Sequence, residues 1–190
     1  MPSRAWAVCG ALAVAAGAWN AATAADLPPP RFSGSYWGVE AGAGWTASSG
    51  LNARAGVRAA SLLQIADAAL QYAASSGRDG QLHRGTLSAQ VHPFFFFMLT
   101  GEGLWQALAG IYVRTGLGVG GYATAGRPLE AVGTFDWGVG LDAPLTPPDA
   151  GRSVWLGLEY LRTSALGDAQ PWETPIQDLT LRVSWRVNVL

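Results

Sequence analysis

The sequence predicts an all-β protein, an eight-stranded antiparallel up-and-down transmembrane β-barrel. Apolar and polar residues alternate along most of the chain, which is the period of β-strands whose two faces meet different surroundings. Asp, Glu, Lys and Arg make up only 13% of the residues, against about 25% in soluble domains. That is too little charge to cover a water-facing surface, and the predicted strands carry acids and bases in equal number. A barrel with lipid outside and paired charges inside accounts for these observations.

The first 25 residues predict a cleaved export signal. Arg4 supplies a positive start, residues 5–19 an apolar core, and the small residues 22–25 a cleavage site before Asp26. The apolar run is shorter than the about 20 residues that a membrane-spanning helix needs. A buried N-terminal helix is the alternative, but such a helix has a polar face and this run has none.

The mature chain is expected to be one barrel domain, residues 32–190, preceded by a Pro-rich linker at residues 26–31. The single cysteine, Cys9, lies in the export signal. We therefore expect no disulfide, thiolate metal site or cysteine nucleophile in the mature protein. The net charge of −1 argues against nucleic-acid binding, which needs a basic surface.

The first predicted strand has an apolar face that ends in tryptophan on both sides. This face carries Trp37, Val39, Ala41, Ala43 and Trp45, opposite Tyr36, Gly38, Glu40, Gly42 and Gly44. Membrane barrels have such an apolar band between two girdles of aromatic residues. In a soluble protein the same tryptophans would be core residues.

Four later segments repeat the alternation: residues 105–123, 129–143, 153–162 and 179–189. Their apolar faces carry Ala107, Ala109, Ile111, Val113, Leu117, Val119, Leu129, Phe135, Trp137, Val139, Leu141, Val154, Leu156, Leu158, Tyr160, Leu179, Leu181, Val183 and Trp185. Trp155 departs from the rule, because it lies on the polar face of its segment.

Residues 51–76 fit two periods. Arg54 and Arg58 alternate with small apolar residues as in a strand, whereas the later alanines and leucines also fit a helix. We predict two strands with a tight turn at residues 66–68, because a barrel whose ends lie on one side of the membrane needs an even strand number. A helix-containing segment is the alternative.

Residues 85–99 predict a further strand with a bulge at Pro93, since proline removes a donor from the ladder. Leu87, Phe95 and Phe97 are expected to face lipid. The connections 76–84 and 163–177 are predicted to lie outside the cell, and the turns 100–103 and 144–152 in the periplasm. This orientation follows the rule that the longer loops of bacterial barrels are extracellular.

The polar faces of the predicted strands define the candidate site, an ion-pair network inside the barrel. Its members are Glu40, Arg54, Arg58, Arg114, Glu130, Asp136, Asp142, Glu159, Arg182 and Arg186. Equal numbers of acids and bases indicate mutual pairing, because isolated charges are costly to bury. Glycines on the same faces leave room for the long arginines. The solvent-facing surface of a soluble barrel is the alternative.

The two ends of the mature chain resemble those of small OmpA/OmpX-type outer-membrane barrels, especially the porin-like surface-antigen group. The resemblance lies in FSGSYWGVEAGAGW at residues 32–45 and in RVSWR at residues 182–186. It implies an eight-stranded barrel in the outer membrane, inserted by the β-barrel assembly machinery and surrounded by outer-membrane lipid. That family ends on an aromatic residue, whereas this sequence ends on Leu190.

An eight-stranded barrel is just wide enough to be filled by side chains. This width favours a structural or surface-interaction protein over a wide porin. We expect a monomer without catalytic residues, cofactor or metal. A lipid-A deacylase using Ser88 and His92 is one alternative, although both side chains would point inward; a soluble periplasmic lipocalin-like binder is another. His83 is expected alone in a loop, and Asp136 and Asp142 in ion pairs rather than as a general acid and base.

Overall fold

A computed structural model describes residues 35–47, 50–60, 65–77, 80–98, 108–124, 128–146, 151–167 and 175–189. Eight antiparallel strands close into one barrel in chain order, which confirms the predicted fold class. The strands are β1 (Ser35–Thr46), β2 (Gly50–Ala60), β3 (Ala66–Gly77), β4 (Gly80–Val91), β5 (Ile111–Ala123), β6 (Glu130–Pro144), β7 (Arg152–Leu166) and β8 (Ile176–Val189). The predicted export signal and linker lie outside the described residues. No helix in the described part of the chain has the length and apolarity to cross a membrane.

The pairing of the strands sets their tilt. β1 pairs with both β2 and β8, so the sheet has no free edge. A line of paired residues that leaves β1 at Tyr36 and crosses every strand in turn returns to β1 at Thr46, ten residues further on. A shear of this size tilts the strands by about 40°. The line climbs toward the β1–β2 turn at each step from one strand to the next.

The two ends of the barrel differ in their connections. The distal end is the end of the barrel opposite Ser35 and Val189. It carries the connections 47–49, 78–79, 124–129 and 167–175. The proximal end carries Ser35, Val189 and the connections 61–65, 92–110 and 145–151. The longest connection between strands is therefore proximal, which differs from the expected concentration of long loops on the other side.

The boundary predicted between the second and third strands is wrong. Residues 66–68 are not a turn, because β3 begins at Ala66 and Asp67 pairs with Ala60 of β2. Both segments are strands, so the helical alternative is also excluded for the described residues of 51–76. The alternation of small alanines is too weak a signal to fix where the chain reverses.

Two predicted loops are shorter than expected. The connection predicted at 76–84 shrinks to residues 78–79, because β3 extends to Gly77 and β4 begins at Gly80, whose positive φ of 145° suits glycine. The loop 163–177 shrinks at both ends, because β7 extends to Leu166 and β8 begins at Ile176. Both differences lengthen strands at the distal end.

The strand predicted for residues 85–99 ends early. β4 stops at Val91, and a 3-10 helix follows at Phe95–Met98, so Phe95 and Phe97 do not continue an outward-facing row. Pro93 gives the physical reason, because its nitrogen cannot donate to the ladder. β5 begins only at Ile111, and Ala109 is buried instead of facing outward. The turn predicted at 100–103 lies outside the described residues.

Candidate functional site

The outer and inner faces of the strands differ in chemistry. Large apolar side chains on the outer face are open to the surroundings, and Trp45, Leu87 and Leu117 are 64%, 64% and 60% exposed. The inner face of the same strands is buried and holds the arginines and carboxylates. A protein folded in water has the reverse arrangement, with its charges outside.

Nine of the described inward charges form one continuous set of ion pairs, here called the main network. Its members are Glu40, Arg54, Arg58, Asp67, Arg114, Asp142, Glu159, Arg182 and Arg186. Each of these side chains is at most 4% exposed. Charges buried so deeply are tolerated only when they are paired. The network therefore requires the closed barrel that brings its members together.

Asp142 on β6 is one of two acids at which three arginines meet, the other being Glu159. Arg182 and Arg186 lie 2.6 and 2.5 Å from the carboxylate of Asp142, and Arg58 lies 3.2 Å away. These pairs connect β2, β6 and β8 across the lumen. Gly157 leaves room for the contact, because a Cβ there would lie 2.5 Å from Asp142 Oδ1 and 3.1 Å from Arg182 Nε.

Arg182 on β8 joins the parts of the network. Besides Asp142 it reaches Glu40 at 3.2 Å and Glu159 at 3.5 Å. Its guanidinium carbon also lies 5.2 Å from the ring centroid of Tyr112, whose hydroxyl donates to Glu159 at 2.7 Å. Three carboxylates thus share one arginine.

Further partners come from other strands. Arg54 of β2 pairs with Glu159, and Arg114 of β5 pairs with the same acid at 3.0 Å. Gln71 of β3 donates to Glu40 and accepts from Arg114. Seven strands contribute side chains to these contacts, so the network crosses the barrel from most sides.

Arg186 lies near the proximal end, between two aromatic rings. Its guanidinium carbon is 4.9 Å from the ring centroid of Tyr36 and 4.1 Å from that of Trp155. Cation–π contacts stabilise an arginine that has lost its water. They explain why Trp155 faces inward, against the apolar-outside rule: it packs on a buried charge.

A second group of charges lies nearer the distal end and is called the distal triad: Arg84 of β4, Asp136 of β6 and Asp178 of β8. Arg84 lies 3.5 Å from each acid, a longer separation than most in the main network. Arg84 Nη1, Asp136 Oδ1 and Asp178 Oδ1 have no hydrogen-bond partner among the described residues. The triad lines a chamber of about 10 Å³, close to the size that holds one water molecule.

The inner face becomes apolar at the distal strand ends. Leu82, Tyr122, Val132 and Ala165 form a buried cluster, and Ile176 packs against it. These residues stand on β4 to β8, next to the distal connections. The lumen is therefore charged in its proximal and middle parts and covered by apolar side chains on one side of its distal mouth.

The structure places eight of the ten predicted site residues in the main network and Asp136 in the distal triad. Glu130 is different: it is the first residue of β6, its side chain is exposed, and it forms no ion pair with the described residues. Its strand position agrees with the inner face, because Glu130 pairs with the buried Tyr122, but it stands at the rim of the barrel, where its side chain meets solvent instead of a buried arginine.

Three buried charges were not predicted as members of the site: Asp67, Arg84 and Asp178. The signal that finds them is the alternation extended past the predicted strand ends. Counting back from the outward Leu70 places Asp67 inward, and the same count from Leu87 places Arg84 inward. Strands of the observed length therefore place all three charges inside the barrel.

The candidate catalytic pair does not come together. Ser88 and His92 are both buried and face the interior. The hydroxyl of Ser88 donates to the carbonyl of Ala69 at 3.4 Å, and Nδ1 of His92 donates to the carbonyl of Ala109 at 3.4 Å. Burial lowers the pKa of His92, which follows the last residue of β4. The two side chains, both within the described residues, share no hydrogen bond.

His83 lies on β4 and not in a loop, which corrects its predicted position. It faces outward near the distal end, and its Nδ1 is 2.7 Å from the hydroxyl of Tyr72. Within the described ranges, no three His, Cys, Asp or Glu side chains are grouped so as to hold a metal ion. His83 is therefore an outer-wall residue with a tyrosine partner.

No protein-family model and no curated protein matches the sequence. Among solved structures, the fold is similar to the N-terminal β-barrel domain of Pseudomonas aeruginosa OprF, with 14% identity over 80% of this chain and 96% of that chain, and a TM-score of 0.48. It is also similar to Neisserial surface protein A, with 16% identity over 83% and 98% of the two chains and a TM-score of 0.45. The barrel assignment itself rests on the strand pairing described above.

Proposed function

We propose that this protein is an integral outer-membrane β-barrel with a side-chain-filled polar interior and a structural or surface-interaction role. The observation that carries the proposal is the inverted polarity of a closed barrel. Its outer face is apolar and exposed, while six acids and six arginines among the described residues are buried inside. In a bilayer the outer side chains are surrounded by hydrocarbon, and closure gives every strand two hydrogen-bonded neighbours.

The position of the outward tryptophans supports a membrane location. Trp37 and Trp185 stand toward the proximal end and contact each other edge to face at 5.8 Å. Trp45 stands next to the distal β1–β2 turn. Tryptophan at both levels fits the aromatic girdles of membrane barrels, which lie at the two lipid–water interfaces.

The filled interior supports anchoring over bulk transport. The main network crosses the lumen, and the chamber at the distal triad has a volume of about 10 Å³. A wide porin has a water-filled channel instead. The same filling disfavours a lipocalin-like binder, because such a barrel holds its ligand in an open interior.

The proposed partners follow from this location. Outer-membrane lipid contacts the apolar wall, and the β-barrel assembly machinery inserts the chain. The protein acts as a monomer without a catalytic centre or cofactor in this proposal. Its distal connections, which face outside the cell, are the parts available for surface interactions.

Membrane fractionation tests the proposal. The protein expressed in Gram-negative cells should stay with the outer membrane through washes at high salt and alkaline pH, and detergent should release it. A soluble periplasmic protein from the same cells is the control and should leave by osmotic shock. Recovery of the folded barrel in the osmotic-shock fraction, without detergent, would contradict a membrane location.

A further inference from the structure

A groove lies on the outer wall near the distal end. Ala43, Ala53 and Ala74 form its floor, and they pair with one another across β1, β2 and β3. Trp45 and Leu51 pair with each other and line the distal side of the groove, beside this floor. Their side chains are 64% and 67% exposed. The groove has a volume of about 580 Å³, within the ~300–1,000 Å³ range of small-molecule sites.

The groove has an apolar end and a polar end. Its alanine floor continues into Leu181 on β8 and into His83 on β4, because Ala43 pairs with Leu181 and Ala74 with His83. Paired rows climb toward the distal end from β8 through β1 to β4, as the shear of the barrel requires. His83 is therefore at the shallow end of the row and Leu181 at the deep end.

Polar side chains gather at the shallow end. Ser76 and Gln81 pair with each other beside His83 and also line the groove. The hydroxyl of Tyr72 lies 2.7 Å from Nδ1 of His83. Polar side chains on the outer wall of a membrane barrel are costly in hydrocarbon and suit the headgroup region. From its deep end to its shallow end the groove therefore changes from apolar to polar, as a membrane lipid does from its acyl chains to its headgroup.

We propose that this groove binds one acyl chain of a membrane lipid from the distal leaflet, with the lipid headgroup at Ser76, Gln81 and His83. The inference rests on the proposed membrane location. The chain lies on the alanine floor with its methyl end toward Leu181. When Tyr72 donates to Nδ1 of His83, the Nε2 proton of His83 is left to donate to an ester or phosphate oxygen.

Native mass spectrometry of the full mature chain, folded in detergent with saturated phosphatidylethanolamine as the probe, tests the groove. Wild type should retain one lipid per barrel. Ala74→Leu fills the floor and should lower retention about tenfold, the scale of misfit in an apolar pocket. Ala68→Leu is the matched control, because Ala68 faces outward on the same strand but does not line the groove, and it should retain lipid as wild type does.

The outcomes separate this inference from the membrane proposal. A barrel that folds in detergent but retains no lipid, or retains it equally after Ala74→Leu, overturns the groove alone. Unchanged retention after a combined Gln81→Ala and His83→Ala substitution overturns the headgroup position. A chain that folds in buffer without detergent overturns the membrane location itself. Heat-modifiable migration of each variant on a gel shows that it is folded.

Discussion

The inner and outer faces of the same strands depend on different kinds of contact. Inside, Asp142 depends on particular partners, with three arginines within 3.2 Å. Outside, Leu87 and Leu117 are mostly exposed and depend on the solvent around the barrel. A substitution on the inner face should therefore act through the partners it leaves unpaired. A substitution on the outer face should act through its depth in the membrane.

The largest effect is expected inside the main network. Arg182→Met removes an arginine that three carboxylates share and should lower the free energy of unfolding by about 3–5 kcal/mol, as for a broken buried ion pair. Urea titration of the barrel in detergent micelles, followed by tryptophan fluorescence, measures it. Arg152→Met is the control, because Arg152 is exposed at the start of β7. A decrease in the free energy of unfolding no greater than that of the control would show that ion pairing does not stabilise the inner face.

The next largest effect is expected from an arginine placed on the outer face of the barrel. Val139 stands in the middle of β6, 37% exposed, and Val139→Arg should cost about 2–4 kcal/mol at mid-bilayer depth. Val189→Arg, at the proximal end of β8, should cost about 0–1 kcal/mol because it lies near the interface. The free energies of unfolding of the two variants, measured in lipid bilayers, give these costs. Equal costs at both positions would contradict the account, because the cost of an arginine on the outer wall would then not depend on its depth in the bilayer.

A smaller effect is expected in the distal triad. Arg84→Met leaves Asp136 and Asp178 without their arginine and should cost about 1–3 kcal/mol, because each carboxyl keeps a hydroxyl donor, Thr86 or Ser75, and can take up a proton once the arginine is gone. The cost is below that of Arg182→Met because Arg84 forms two ion pairs of 3.5 Å, whereas Arg182 forms three, the shortest of 2.6 Å. The same urea titration ranks the two variants, and a reversed order would remove the distinction between the two groups of charges.

No effect is expected on the acylation of lipid A, which makes this the smallest of the predicted effects. Expression of the protein should leave the acylation of lipid A unchanged, because Ser88 and His92 face the interior and bond to separate carbonyls. Mass spectrometry of lipid A from cells with and without the protein checks this. An altered acylation pattern that disappears with His92→Ala would contradict the non-enzymatic interpretation.

Alternation predicted which face most strand residues occupy, because large apolar side chains mark the outer face in β1, β5, β6, β7 and β8. Trp37, Leu117, Val139 and Leu181 are exposed as predicted. The signal weakens where the outward residues are small. Ala66 and Ala68 carry little information about facing, which is why the sequence predicts a turn at Asp67 instead of a place in the network.

The strand ends were harder to predict because the inner face changes chemistry there. Leu82 points inward into the distal apolar cluster, which breaks the polar-inside rule just before Arg84. Pairing across strands could not be predicted either, since the partners of Asp142 stand 84, 40 and 44 residues away in the chain. Only the register of the closed barrel brings them together.

The accessibility of spin labels along β8 tests the central claim of inverted polarity. The mature chain is expected to contain no cysteine, so single cysteines can be labelled one at a time at Thr180, Leu181, Val183, Ser184 and Trp185 in reconstituted bilayers. Labels at Leu181, Val183 and Trp185 should be accessible to oxygen dissolved in lipid, and labels at Thr180 and Ser184 should be protected from both oxygen and a water-soluble nickel complex. High accessibility of the outward labels to the nickel complex would contradict the account, because it would place the apolar wall in water.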